Sequence, residues 1–229
     1  MKSVAIAFIA CAFVLTACGG SGGGSTSPTP APAPVTVFPV DSVITKLASS
    51  GRSFSVSNVD ANGKQSKLVV DYVPGASGWF SRRQNLSTNG TGGVTTQENV
   101  NFIRTGDLFK VVGWIDSNAN PAVISASAAL PATSNVGSNG TLAEGSILIQ
   151  DNGINTSDIG LTHSLRYLWT LAAVTDTTAD LCLTTWNIGD FISNFATDCF
   201  RIDAAGSISA FKSTVGYHAK GIDSQTVYQ

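Results

Sequence analysis

From Ser53 onward the chain is a succession of short runs with a period of two. Each run is stopped by glycine, proline, asparagine or aspartate, and this punctuation restricts the chain to a β architecture. Phe54 and Val56 alternate with Ser53, Ser55 and Ser57, and Asp60-Ala61-Asn62-Gly63 reads as a hairpin turn. Lys67 to Val73 stops at Pro74-Gly75. Phe102-Ile103 and Leu108 to Ile115 flank Thr105-Gly106-Asp107, and Ile147 to Gln150 stops at Asp151-Asn152-Gly153. Arg166 to Val174 places Tyr167, Trp169 and Leu171 on one side. Leu181 to Ile188, Thr197 to Asp203 and Ser207 to Tyr217 complete the set. Strand and helix do not alternate, so a parallel α/β sheet is disfavoured. The fold class expected is all-β, an antiparallel barrel or sandwich with a short N-terminal helix and one disulfide. Asp41 is read as the cap of that helix, from Ser42 to Ser49, with Gly51 as its stop.

The N-terminus differs in kind. Lys2 heads an apolar run from Val4 to Leu15, too short for a spanning helix of about 20 residues, and the run closes at Leu15-Thr16-Ala17-Cys18. These four residues resemble the lipobox of bacterial lipoproteins. The resemblance covers the first twenty residues only. It implies cleavage before Cys18, lipidation of Cys18 with palmitate-type chains, and anchorage without a transmembrane helix, at roughly 0.8 kcal/mol per buried methylene. Gly19 and Gly20 follow the cysteine where an inner-membrane retention signal would place aspartate, which implies the outer membrane, on its periplasmic or surface face.

Residues 1–17 are thus read as a signal peptide and residues 18–34 as a linker, Gly/Ser-rich and then spaced by Pro28, Pro30, Pro32 and Pro34. Residues 35–229 are read as a single β-rich domain. Charged residues make up 12% of the chain, about half the usual share, so the polar surface must be built from Ser, Thr, Asn, Gln and Gly. The chain has 13 Lys and Arg against 15 Asp and Glu. Without Lys2 the balance is 12 against 15, which argues against nucleic acid as a partner.

Of four cysteines, Cys11 leaves with the signal and Cys18 takes lipid. Cys182 and Cys199 remain, and in an exported protein they are expected to pair. A hairpin turning through Gly189-Asp190 places Cys182 opposite Cys199 and Trp186 opposite Phe195.

Chemistry-bearing motifs are few. Gly19-Gly20-Ser21-Gly22-Gly23 has the spacing of a nucleophile elbow but lies in the linker, without the strand and helix that motif requires. Ser209-Ala210-Phe211-Lys212 has the Ser-x-x-Lys spacing within a strand-like run. The two histidines allow a triad through His163 with Asp158 or His218 with Asp223, but no zinc site by spacing. No metal site is assigned. Calcium is the best ion candidate, at Asp116-Ser117-Asn118-Ala119-Asn120 or around Asp151, Asn155 and Asp158. Trp79, Phe80, Arg82 and Arg83 are the candidate ligand-binding residues, aromatics and cations beside the Gly-rich stretch that ends at Gly78.

The leading functional expectation is a membrane-anchored, non-enzymatic binding or structural module whose partner is an envelope protein or a glycan. The alternatives are an envelope hydrolase for glycan or ester, using Asp176, Asp180 or Asp190, and a lipocalin-like carrier with a pocket in a barrel mouth.

Overall fold

The computed structural model describes residues 37–75, 78–87, 94–105, 108–115, 120–148, 162–189, 192–219 and 222–229. Side chains are described over the same residues except 48, 75–108, 115, 148, 162, 192 and 222. The elements are β1 (Val37–Phe38), α1 (Val40–Ser50), β2 (Ser53–Val59), β3 (Gln65–Gly75), β4 (Gly78–Ser87), β5 (Val94–Thr105), β6 (Leu108–Ile115) and β7 (Pro121–Ser127). There follow β8 (Ser134–Asn135), β9 (Asn139–Leu148), β10 (Thr162–Ala173), β11 (Thr178–Ile188), β12 (Ile192–Asp203), β13 (Ile208–Ala219) and β14 (Ile222–Tyr228).

Twelve strands form one antiparallel sheet in the order β14-β13-β12-β11-β10-β9-β7-β6-β5-β4-β3-β2, and β1 pairs with β8 in a separate two-stranded ladder. Apart from the skip over β8, every strand neighbours the next in sequence. The sheet then curls until its edges meet. The Gln229 N–H donates to the Ser57 carbonyl at 3.2 Å, and Asn58 Nδ2 donates to the Val227 carbonyl at 2.8 Å. Beneath this sparse seam an aromatic cluster ties the first strands to the last. Phe54 on β2 stacks on Phe211 of β13 at 4.4 Å, and Tyr72 on β3 meets Phe200 of β12 edge-on at 5.7 Å. The architecture is therefore the barrel rather than the sandwich of the two expected forms.

An eight-stranded barrel is just wide enough for side chains to fill, and a twelve-stranded one leaves more room. Helix α1 occupies part of that room. Val40, Val43, Ile44 and Leu47 are at most 1% exposed, on one side of the helix as the 3.6 period dictates. They join a single core cluster with Leu142, Leu183 and Phe200 from the strands. The void lined by Ile44, Phe109, Val111, Leu130, Leu142 and Leu183 measures only about 10 Å³, room for one water at most. Gly51, at φ 64°, stops the helix as expected. Asp41 is not its cap. It lies in the first turn, buried, and its carboxylate accepts the Phe109 N–H at 3.1 Å, fixing the helix to the start of β6 instead.

Alternation decides what faces water. On β11 Ala179, Leu181, Leu183 and Thr185 point inward; on β10 so do Leu165, Tyr167, Trp169 and Leu171. Outward-facing positions carry Ser53, Ser55 and Ser57 on β2, and Lys212 and Thr214 on β13. A transmembrane barrel has the reverse pattern at such positions, apolar outside.

Candidate functional site

At the end of the barrel remote from α1, the ends of β11 and β13 and the starts of β12 and β14 frame a groove of about 510 Å³. Its apolar wall comes from cross-strand pairing. Trp186 stands opposite Phe195, as the hairpin reading expected, with ring centroids 4.9 Å apart and an interplanar angle of 32°. Phe195 in turn stands opposite Gly216. A Cβ at Gly216 would lie 2.5 Å from the Phe195 ring and 2.6 Å from the Ser224 carbonyl, so only glycine lets the ring lie down on β13. Tyr217, 42% exposed, and Ile188, 37% exposed, extend the apolar surface.

The polar wall is also a register product. Ser193 pairs with His218, and His218 pairs with Asp223, so three side chains form one row across β12, β13 and β14. His218 Nδ1 is hydrogen-bonded to Asp223 Oδ1, the pairing anticipated for this histidine. Both groups are largely open to water, with side chains 66% and 78% exposed. Gln225 stands opposite Gly216, in the row of Trp186 and Phe195, and Ser224 also lines the groove.

A second polar cluster lies on the outer face toward α1. Asp180, its side chain only 8% exposed, accepts from Arg201 Nε at 3.0 Å and Lys212 Nζ at 2.8 Å. Burial alone would push this carboxyl up. The hydrogen bonds from Arg201 and Lys212, together with their charges, outweigh it and hold the group below the ordinary carboxylate range. The stabilisation is therefore fully present above the unfolded-chain value of about 3.9 and is lost as pH falls through the depressed folded value. The two cations are partly solvated, which keeps the effect modest. Asp180→Asn is expected to cost about 1–2 kcal/mol at pH 7, and denaturation of the two proteins should converge as pH drops below about 4. A gap that does not narrow as pH falls below about 4 contradicts this assignment.

The same cluster bears on the hydrolase alternative. Asp180 is ionised and doubly paired, a poor general acid. Asp176 is exposed on the turn between β10 and β11, and Asp190 lies outside the described residues. The Ser-x-x-Lys pair does not form a couple either, since Lys212 is held by Asp180 and Ser209 Oγ donates to the Arg201 carbonyl at 3.4 Å.

The other sequence candidates fall as follows. Cys18 lies outside the described residues, as do Asp151, Asn155 and Asp158 and residues 116–119 of the first calcium loop. Trp79, Phe80, Arg82 and Arg83 sit on β4 between β3 and β5, with Arg82 in register with Asp71 and Asn99; their side chains lie outside the described set. His163 hydrogen-bonds through Nδ1 to Asn187 Oδ1 at 3.0 Å. Among the described residues, no three His, Cys, Asp or Glu side chains gather as a metal site. Cys182 and Cys199 are bonded to each other across β11 and β12 in the expected register.

The groove itself was only half visible beforehand. Both the Trp186–Phe195 pair and the His218–Asp223 pair could be named from the chain. That they share one cavity depends on β14, a polar segment with no strand signature. No protein-family model matches the chain, and comparison with curated proteins and with solved structures finds no similar protein.

Proposed function

We propose that this protein is a lipid-anchored lipoprotein of the bacterial outer membrane whose β-domain is a non-enzymatic binding module, with the groove at Trp186 as its ligand surface. The anchor rests on Leu15-Thr16-Ala17-Cys18 and on the Gly/Ser/Pro tether that follows. Binding is carried by one observation: the groove combines a tilted pair of adjoining aromatic rings with a row of short polar side chains, within the usual size range of ligand sites.

Catalysis is the weaker reading of the same surface. The row Ser193–His218–Asp223 has the composition of a hydrolytic triad. A working triad, however, holds its aspartate buried and its histidine on the nucleophile. Here Asp223 is open to water, and the hydrogen bond of His218 runs to Asp223 with none to Ser193. Among the described residues, the close packing of Ile44 on Leu142 and Leu183 around a void of about 10 Å³ weighs against a lipocalin-like carrier.

Metabolic labelling with radioactive palmitate tests the anchor. The full chain should take up label and sediment with envelopes, and Cys18→Ser should lose the label. A wild-type chain that takes up no label and washes freely from envelopes refutes the anchor.

A further inference from the structure

We infer that the groove takes a neutral saccharide, an inference that rests on the groove being a ligand surface at all. The argument is one of chemical matching. Trp186 and Phe195 offer flat apolar faces, and such faces suit the C–H side of a sugar ring as well as they suit a hydrocarbon. The polar side chains beside them decide between the two. A hydrocarbon chain would strip water from Ser193, His218, Asp223 and Gln225 and return no hydrogen bonds. A polyhydroxyl ligand both donates and accepts. The Asp223 carboxylate can accept from hydroxyls, Gln225 and the serine hydroxyls can do both, and the ring of His218 is already oriented by Asp223.

Charge narrows the class further. Among the described residues lining the groove there is no lysine or arginine. Among these described residues such a phosphorylated, sulfated or carboxylated ligand would meet the Asp223 carboxylate and no permanent cation. The spacing also fits. Ser193, His218 and Asp223 stand on three adjacent strands, so their backbones step by about 4.8 Å. That spreads the polar groups over about 10 Å, the length of two linked sugar rings rather than one.

The test uses the mature chain, residues 18–229 carrying Cys18→Ser, so that no detergent is present. It is titrated with neutral oligosaccharides of glucose, galactose, mannose and N-acetylglucosamine, with sialylated and sulfated oligosaccharides, and with laurate. Saturation-transfer NMR and calorimetry read the binding. Saturable binding of a neutral oligosaccharide is expected, weakened at least tenfold in both Trp186→Ala and Gln225→Ala. The control Thr170→Ala, exposed on the outer face of β10, should leave it unchanged. Gln225 is itself exposed, so its variant keeps the test valid should Trp186→Ala fail to fold. Binding confined to the acidic probes or to laurate, and lost in Trp186→Ala, overturns the saccharide while leaving the groove as a ligand surface. Saccharide binding indifferent to both variants moves the site elsewhere. No binding of any probe overturns both the saccharide and the groove's role.

Discussion

Phe200→Ala should destabilise the domain by about 3–5 kcal/mol, the largest single-residue effect expected in this structure. Phe200 is fully buried and sits where the barrel closes on itself. Its ring contacts Phe54 at 5.5 Å and Tyr72 at 5.7 Å from the first two strands of the sheet, and Phe211 at 5.3 Å from the penultimate one. Truncation removes the transfer free energy of a phenyl group and leaves a void that three aromatic neighbours cannot easily collapse into. The position adds a second consequence. The backbone seam between β2 and β14 is held by few hydrogen bonds, so most of the closure free energy is aromatic packing below it. Amides near the seam, Gln229 above all, should lose exchange protection before those of β10 and β11, which are paired on both sides. Guanidinium denaturation and hydrogen exchange check the two parts separately. A cost under about 1 kcal/mol would mean that the barrel is not closed through this cluster. Val123→Ala, at a residue 71% exposed, supplies the contrast and should change stability by less than about 0.5 kcal/mol.

The strands that could be read in the chain are those that bury one full face. On β10 the side chains at 165, 167, 169 and 171 are buried and those between them are not, and that alternation is written in the residues themselves. The segments that escaped notice lack it. β7 has no buried side chain in its whole length, and among the described side chains of β14 only Tyr228 is buried. β9 begins with Asn139-Gly140 and is interrupted by Gly145, where a Cβ would lie 2.4 Å from the Val123 carbonyl; close strand approach there overrides the low strand preference of glycine. Barrel and sandwich differ in whether the outer strands meet, and that is a contact between residues about 170 positions apart, Asn58 and Val227. No local pattern encodes it. Asp41 shows the same limit on a smaller scale. An acidic residue ahead of an apolar period reads as a cap, yet a tertiary partner, the Phe109 N–H, claims the carboxylate. The hairpin β11–β12 was legible because one short turn fixes every register position after it, including Cys182 with Cys199 and Trp186 with Phe195.

Loss of that disulfide should rank second. Replacing Cys182 and Cys199 together by alanine is expected to cost about 3 kcal/mol in the chain-entropy account, for a loop with a sequence separation of 17. The bridge lies on the outer face of the hairpin. On the inner face the adjacent pair Leu181 and Phe200, both fully buried, stays in place when the sulfurs are removed. Strand register is also kept by the antiparallel ladder running from Thr178↔Asp203 to Ile188↔Ser193. The folded state therefore has little to lose, and the penalty falls mainly on an unfolded chain released from its cross-link. Three readouts follow from that assignment. Circular dichroism of the folded protein should not change. The denaturant slope should rise, because the unlinked chain exposes more surface on unfolding. Iodoacetamide should add to neither Cys182 nor Cys199 before reduction and to both after reduction and unfolding. A double variant as stable as the parent, or labelling of both thiols without reductant, would show that the sheet does not depend on this staple. A variant with altered circular dichroism would place the bridge's contribution in the folded hairpin instead, and the groove wall at Trp186 and Phe195, four residues along the same two strands, would then be expected to loosen with it.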